Sequence, residues 1–136
     1  MRRFPPAVFV ALSVVLLGCP QPQQQLPVAE PPHVDQSNFT SVVLEADKPV
    51  LVDFFATWCG PCRTMEPTIR QLAAQFEGRA LVVKIDVDQN AEVCRTYAVT
   101  GYPTFLVFKN GQEVGCARGT TPKQELAGLI EAQLGG

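Results

Sequence analysis

The sequence predicts an α/β fold, a central mixed sheet of four to five strands flanked by helices. Three observations carry this expectation. Apolar runs rich in β-branched and aromatic residues recur at 49–56, 80–87 and 104–108, as buried strands do. Segments with apolar residues at helical spacing lie between them, so helix and strand alternate. The pair Asn110-Gly111 then turns the chain back into a further strand, which adds an antiparallel hairpin. The 136 residues, 46% of them hydrophobic, suffice for one domain and not for two separate cores. A formal net charge of −2 argues against a nucleic-acid binder that relies on a basic surface. The 5 cysteines are too few for a disulfide-dense miniprotein and too irregular for a zinc site. No internal repeat is visible, which excludes solenoids and propellers.

The chain begins with Arg2 and Arg3 ahead of an apolar run from Ala7 to Gly18. A membrane-spanning helix needs about 20 residues. A shorter run behind positive charges reads as a secretory signal. Pro5 and Pro6 speak against a buried helix here. The run ends Leu16-Leu17-Gly18-Cys19, which resembles the lipobox of bacterial lipoproteins. That resemblance implies a signal peptide over 1–18, cleavage before Cys19 and lipidation of its sulfur. Several acyl chains hold a protein on a bilayer far more stably than one. Residues 19–36 then read as the lipidated Cys and a Pro/Gln-rich linker. Such a segment buries too little apolar surface to offset its ordering entropy. His33, the only histidine, falls in it and is given no role.

The domain expected over 37–136 opens with Ser37, which can cap a short helix to about Ala46. Lys48-Pro49 breaks that helix, and Pro49–Ala56 is a buried strand. Pro61 to Phe76 places Met65, Ile69, Leu72, Ala73 and Phe76 at helical spacing, with Gly78 as terminator. Ala80–Val87 is the next buried strand and Ala91–Tyr97 a short helix. Thr104–Phe108 and Gln112–Ala117 form the hairpin. Thr121-Pro122 opens a last helix with Leu126, Leu129, Ile130 and Leu134 on its inner side.

The chemistry is concentrated in Trp58-Cys59-Gly60-Pro61-Cys62, which follows a buried strand and opens a helix. Free N–H groups and the positive end of the dipole favour a thiolate at a helix N-terminus. Cys59 is therefore the expected nucleophile. Cys62, one turn on, is within disulfide reach and can resolve the mixed disulfide that Cys59 forms. Gly60 keeps the turn uncrowded, and Pro61 suits an early helical position. A zinc site would need a second pair of ligands. Cys94, Cys116 and His33 do not supply one at pair spacing. Asp53 lies inside an apolar strand, where an unpaired carboxylate is costly and tends to stay protonated.

From about Ser37 to Leu134 the chain resembles the thioredoxin family. Four separated stretches carry the resemblance: Val52 to Cys62, Lys84 to Asp88, Gly101-Tyr102-Pro103-Thr104, and Phe108 to Gly111 followed by Gly119. It implies that Asp53 lies behind Cys62 and assists its proton transfer, with Lys84 pairing to Asp53. It implies a cis Tyr102–Pro103 bond, with Tyr102, Pro103, Thr104 and Gly119 contacting substrate. It implies one bent helix through Pro67. The departures are a first strand interrupted by Pro31-Pro32, Phe55 in place of the usual Trp, and Tyr102 in place of the commoner Ile. Tyr102 also resembles protein disulfide isomerase domains, but those carry His where this chain has Pro61. Cys94 and Cys116 are additional to the pattern, and a disulfide between them stays open at this stage.

The expectation is a lipid-anchored, extracytoplasmic thioredoxin-like reductase of protein disulfides, with no metal and no cofactor of its own. The resemblance implies a membrane partner that supplies thiol electrons. A monomer is expected, and the net charge speaks against nucleic acid as a partner. The alternative is a thiol oxidase or disulfide isomerase using the same cysteines. A non-catalytic binding module is a third class, opposed by the intact Cys59/Cys62 pair.

Overall fold

The structure, a computed structural model, describes residues 25–135. The expected signal and Cys19 lie outside them. The sheet has five strands: β1 His33–Val34, β2 Val50–Phe55, β3 Leu81–Asp86, β4 Thr104–Lys109 and β5 Gln112–Arg118. Their spatial order is β1-β3-β2-β4-β5. β3 is parallel to both β1 and β2, while β4 is antiparallel to β2 and to β5. Helix α1 Gly60–Gln75 makes the crossover between β2 and β3, which parallel strands require. Helix α2 Ala91–Thr96 links β3 to β4, and α3 Lys123–Glu131 follows β5.

Every residue of β2 is buried, as an uninterrupted apolar run predicts for a central strand. One face packs Val52, Phe54, Ile85 and Leu106 under Phe39, Val43 and α2. The other packs Leu51, Val82, Phe105 and Val107 against Met65, Ile69 and Leu72 of α1 and Leu126 and Ile130 of α3. That apolar stripe holds α1 to the sheet on both sides of Pro67, and the helix runs through the proline unbroken.

Three local expectations change. The linker stops short of residue 36. Ala29 N–H donates to the Arg70 carbonyl at 3.0 Å, Glu30 pairs with Arg70 at 2.7 Å, and Pro31 is buried. The first strand is present but only two residues long. Pro32 stands just before it, at the sheet edge where proline is tolerated, and Pro32 O accepts from Lys84 N–H at 3.0 Å. The first helix is a single wide turn over Thr40–Leu44, closed by Glu45 N–H on Thr40 O. Its entry is organised by Asp35, not Ser37. The Asp35 carboxylate accepts from the N–H groups of Ser37 and Asn38 at 2.8 and 3.3 Å.

The hairpin follows the sequence closely. Asn110 and Gly111 have φ of +52° and +76°, the left-handed pair that a two-residue turn demands. A Cβ at 111 would stand 3.2 Å from the Leu44 carbonyl, so the tip sits against the first helical turn. Among the described residues, no helix is long and apolar enough to cross a membrane.

Candidate active site

β2 delivers the chain to a tight turn at its C-terminal end, and α1 begins there. Cys59 is the residue that caps α1: its backbone is extended, and its Sγ accepts the Cys62 N–H at 3.2 Å. Its own N–H donates to Ala56 O at 3.1 Å. Cys59 and Cys62 are joined as a disulfide with Cα atoms 5.3 Å apart, one helical turn. Both are buried. Trp58 beside them is 63% exposed, the most exposed large apolar side chain of the domain. Its indole N–H donates to Asp88 at 2.8 Å, and its ring meets Tyr102 edge-on at 6.1 Å.

The Tyr102–Pro103 bond is cis, as the resemblance implied. Pro103 O accepts from Gly119 N–H at 2.8 Å, which ties this loop to the end of β5. Gly119 has a φ of +74°, so the tie runs through a left-handed residue that glycine suits. Tyr102 and Gly119 are half-buried and present a surface, while Thr104 is buried, its hydroxyl donating to Gly101 O at 2.7 Å. Thr104 therefore braces the loop from inside, and its expected substrate contact is corrected. Pro103 is buried too. Beyond Tyr102 lies a groove of about 440 Å³, lined by Val87, Cys94, Val99 and Tyr102 among others.

On the other flank, strand register sets a single row across the whole sheet: His33, Lys84, Asp53, Phe105 and Ala117. Asp53 is 2% exposed, and its Oδ1 has no hydrogen-bond partner. Burial pushes its carboxyl up to about 7; the Lys84 ammonium pulls it down and Glu66 pushes it up. Lys84 does not pair with Asp53 as expected. Its Nζ stands 3.7 Å from Glu66 Oε1 and 4.4 Å from the centre of the Phe55 ring. His33 also contacts that ring, edge-on at 5.4 Å, so it belongs to the domain and not to a linker. A cleft of about 160 Å³ opens here, lined by Cys62, Arg63, Glu66, Lys84 and the 55–57 end of β2. A water occupies about 30 Å³, so the cleft has room for a short chain of them between Cys62 and the surface.

Two participants escaped the sequence reading. Glu66 could have been found, because it lies four residues after Cys62 and so shares its helical face. Asp88 closes a recognised stretch, but nothing in the sequence aims it at Trp58. Cys94 and Cys116 are free thiols, the first buried and the second half-buried. Burial pushes the Cys94 thiol up. Among the described residues, no three His, Cys, Asp or Glu side chains gather where they could hold a metal ion.

Two sulfurs that close a ring at a helix start can trade their bond for one in another molecule. This is the chemistry of thiol–disulfide oxidoreductases, and the fold and site place the chain in that class. The thioredoxin family model matches residues 30–132. Thioredoxin 1 of Nostoc sp. (strain PCC 7120) is 44% identical over 101 residues, 74% of this chain and 94% of the relative. Thioredoxin of Haemophilus influenzae is 40% identical over 102 residues, 75% and 95% of the two chains. The structure of a mutant thioredoxin from Halobacterium salinarum NRC-1 superimposes with a TM-score of 0.71 at 40% identity, covering 77% of this chain and 91% of that one. The chain belongs to the thioredoxin family, a thiol–disulfide oxidoreductase acting on protein disulfides.

Proposed function

We propose that this thioredoxin works outside the cytoplasm, held to a bacterial membrane by lipid on Cys19, and that it reduces the disulfides of other proteins. The observation that carries the reaction is the Cys59–Cys62 pair at the start of α1, with Asp53 buried in β2, the strand that leads to it. In the reduced enzyme the Cys59 thiolate attacks one sulfur of the substrate disulfide and expels the other as a thiolate. Cys62 passes its proton to the Asp53 carboxylate, then attacks Cys59 Sγ. The second substrate sulfur leaves, two electrons have passed to the substrate, and the enzyme is left with its own disulfide. Tyr102 and Gly119 offer the docking surface.

The direction rests on Pro61. A His at that place would favour the thiolate and make the disulfide a stronger oxidant. The expected reduction potential is therefore near that of thioredoxins, about −270 mV. Equilibration in glutathione or dithiothreitol buffers, followed by the fluorescence of Trp58, the single tryptophan, measures it. A value of about −120 to −180 mV, the range of strong oxidants and isomerases, would instead support the oxidase or isomerase reading that Tyr102 favours.

The anchor rests on residues that precede the family match: Arg2 and Arg3, the apolar run, and Cys19. A reductase held there needs thiol electrons from a membrane protein. In cells fed radiolabelled palmitate, the protein is expected to carry label and to sediment with membranes. Cys19→Ser should lose both, and label retained in that variant would sink the anchor.

A further inference from the structure

The charged groups around Asp53 are arranged in a way that the pairing of Asp53 with Lys84 does not explain. Register places Lys84 directly beside Asp53 on the adjacent strand. Asp53 Oδ1 is buried and bare, a strong attractor for any donor within reach. Yet the ammonium is held elsewhere, between the Glu66 carboxylate at 3.7 Å and the face of Phe55 at 4.4 Å. Glu66 comes from α1, one turn beyond Cys62, and lines the same cleft as Cys62 and Lys84. Its side chain is 40% exposed, whereas that of Lys84 is 8% exposed.

We propose that Glu66 is a positioning residue: it holds the Lys84 ammonium against its own carboxylate and the Phe55 ring, away from the Asp53 carboxyl, and so sets how readily Asp53 takes the proton of Cys62. The inference rests on Asp53 serving as that proton acceptor. The surroundings leave few other candidates. β3 contributes Lys84, and α1 contributes Cys62, Arg63 and Glu66. On β4 the neighbour of Asp53 is Phe105, the buried residues of α3 are apolar, and His33 on β1 lies beyond Lys84.

Two effects of Glu66 have the same sign. Its negative charge disfavours ionisation of Asp53, and its grip on Lys84 keeps the favourable cation at a distance. Glu66→Gln removes both, so Asp53 should ionise at lower pH. The reverse change, Lys84→Met, removes the cation and should raise that pH.

The test is a pH titration of the full chain labelled with ¹³C at the Asp carboxyls, alongside the pH–rate profile for reduction of a protein disulfide. Asp53→Asn identifies both the Asp53 signal and the acid limb that depends on it. In Glu66→Gln the Asp53 midpoint and that limb are expected to move acidward by about one pH unit. Glu66→Asp, which keeps the charge, should stay close to the parent, and Lys84→Met should move the other way. A Glu66→Gln midpoint equal to the parent's would overturn the role of Glu66 while leaving Asp53 as the acceptor. An acid limb that survives in Asp53→Asn would overturn the acceptor itself, and the positioning role with it.

Discussion

Cys62→Ser is expected to turn the catalyst into a trap. Cys59 keeps its place at the helix start, so attack on a substrate disulfide still forms the mixed disulfide. No second thiol stands one turn away to break it. Cys94 and Cys116 do not substitute, because one is buried in the core and the other lies on β5. Steady turnover should fall by at least about a thousandfold, the scale on which an intramolecular attack outruns one from solution. Covalent adducts sensitive to dithiothreitol should accumulate on non-reducing gels. Cys59→Ser should yield neither turnover nor adducts. Adducts of equal yield from both variants would mean that the two sulfurs are not divided into attacker and resolver.

The second large effect is on stability. Asp53 is a carboxyl whose folded value, about 7, lies above its ordinary 3.8. The folded protein therefore binds a proton more tightly than the unfolded chain between those values. Stability contributed by the protonated form is present below about pH 4 and is lost as pH rises through 7. Asp53→Asn, close in shape and never charged, removes that loss. The variant should match the parent near pH 4 and exceed it above pH 7, by about 2–4 kcal/mol, the size of such a displacement. Urea denaturation at pH 4, 6 and 8 measures the trend. A difference that does not grow with pH would mean that Asp53 is not held neutral by its burial. The same variant should resolve mixed disulfides slowly, so stability and activity change in opposite directions.

What was legible follows from where the signal is stored. β2, β3 and β4 are written in the sequence as continuous apolar runs because both faces of each are covered. The hairpin is written in two residues, Asn110 and Gly111, because a left-handed turn tolerates few others. The site motif is local too, five residues on one strand-to-helix turn. The sheet edge was harder. β1 has only two residues, and its neighbouring prolines resemble the linker that precedes them. The entry to the first turn was read from Ser37, but the Asp35 carboxylate is what accepts the N–H groups there. Lys84 was the deeper failure. Register placed its backbone beside Asp53, but a four-carbon stem lets the ammonium choose its partner, and the choice depends on α1. Thr104 was expected at the docking surface from the resemblance alone, but β4 is covered on both faces and its first residue is buried.

The cleft at Cys62 and the groove beyond Tyr102 share no lining residue. One is walled by Arg63, Glu66 and Lys84, the other by Val87, Val99 and Tyr102. A polypeptide seated against Tyr102 thus covers the second hollow and leaves the one at Glu66 and Lys84 open to water. Protons can come and go while a client stays covalently attached, so the lifetime of the complex is set by the sulfurs and not by a sealed-in proton. Clients of very different bulk can then be released at similar rates.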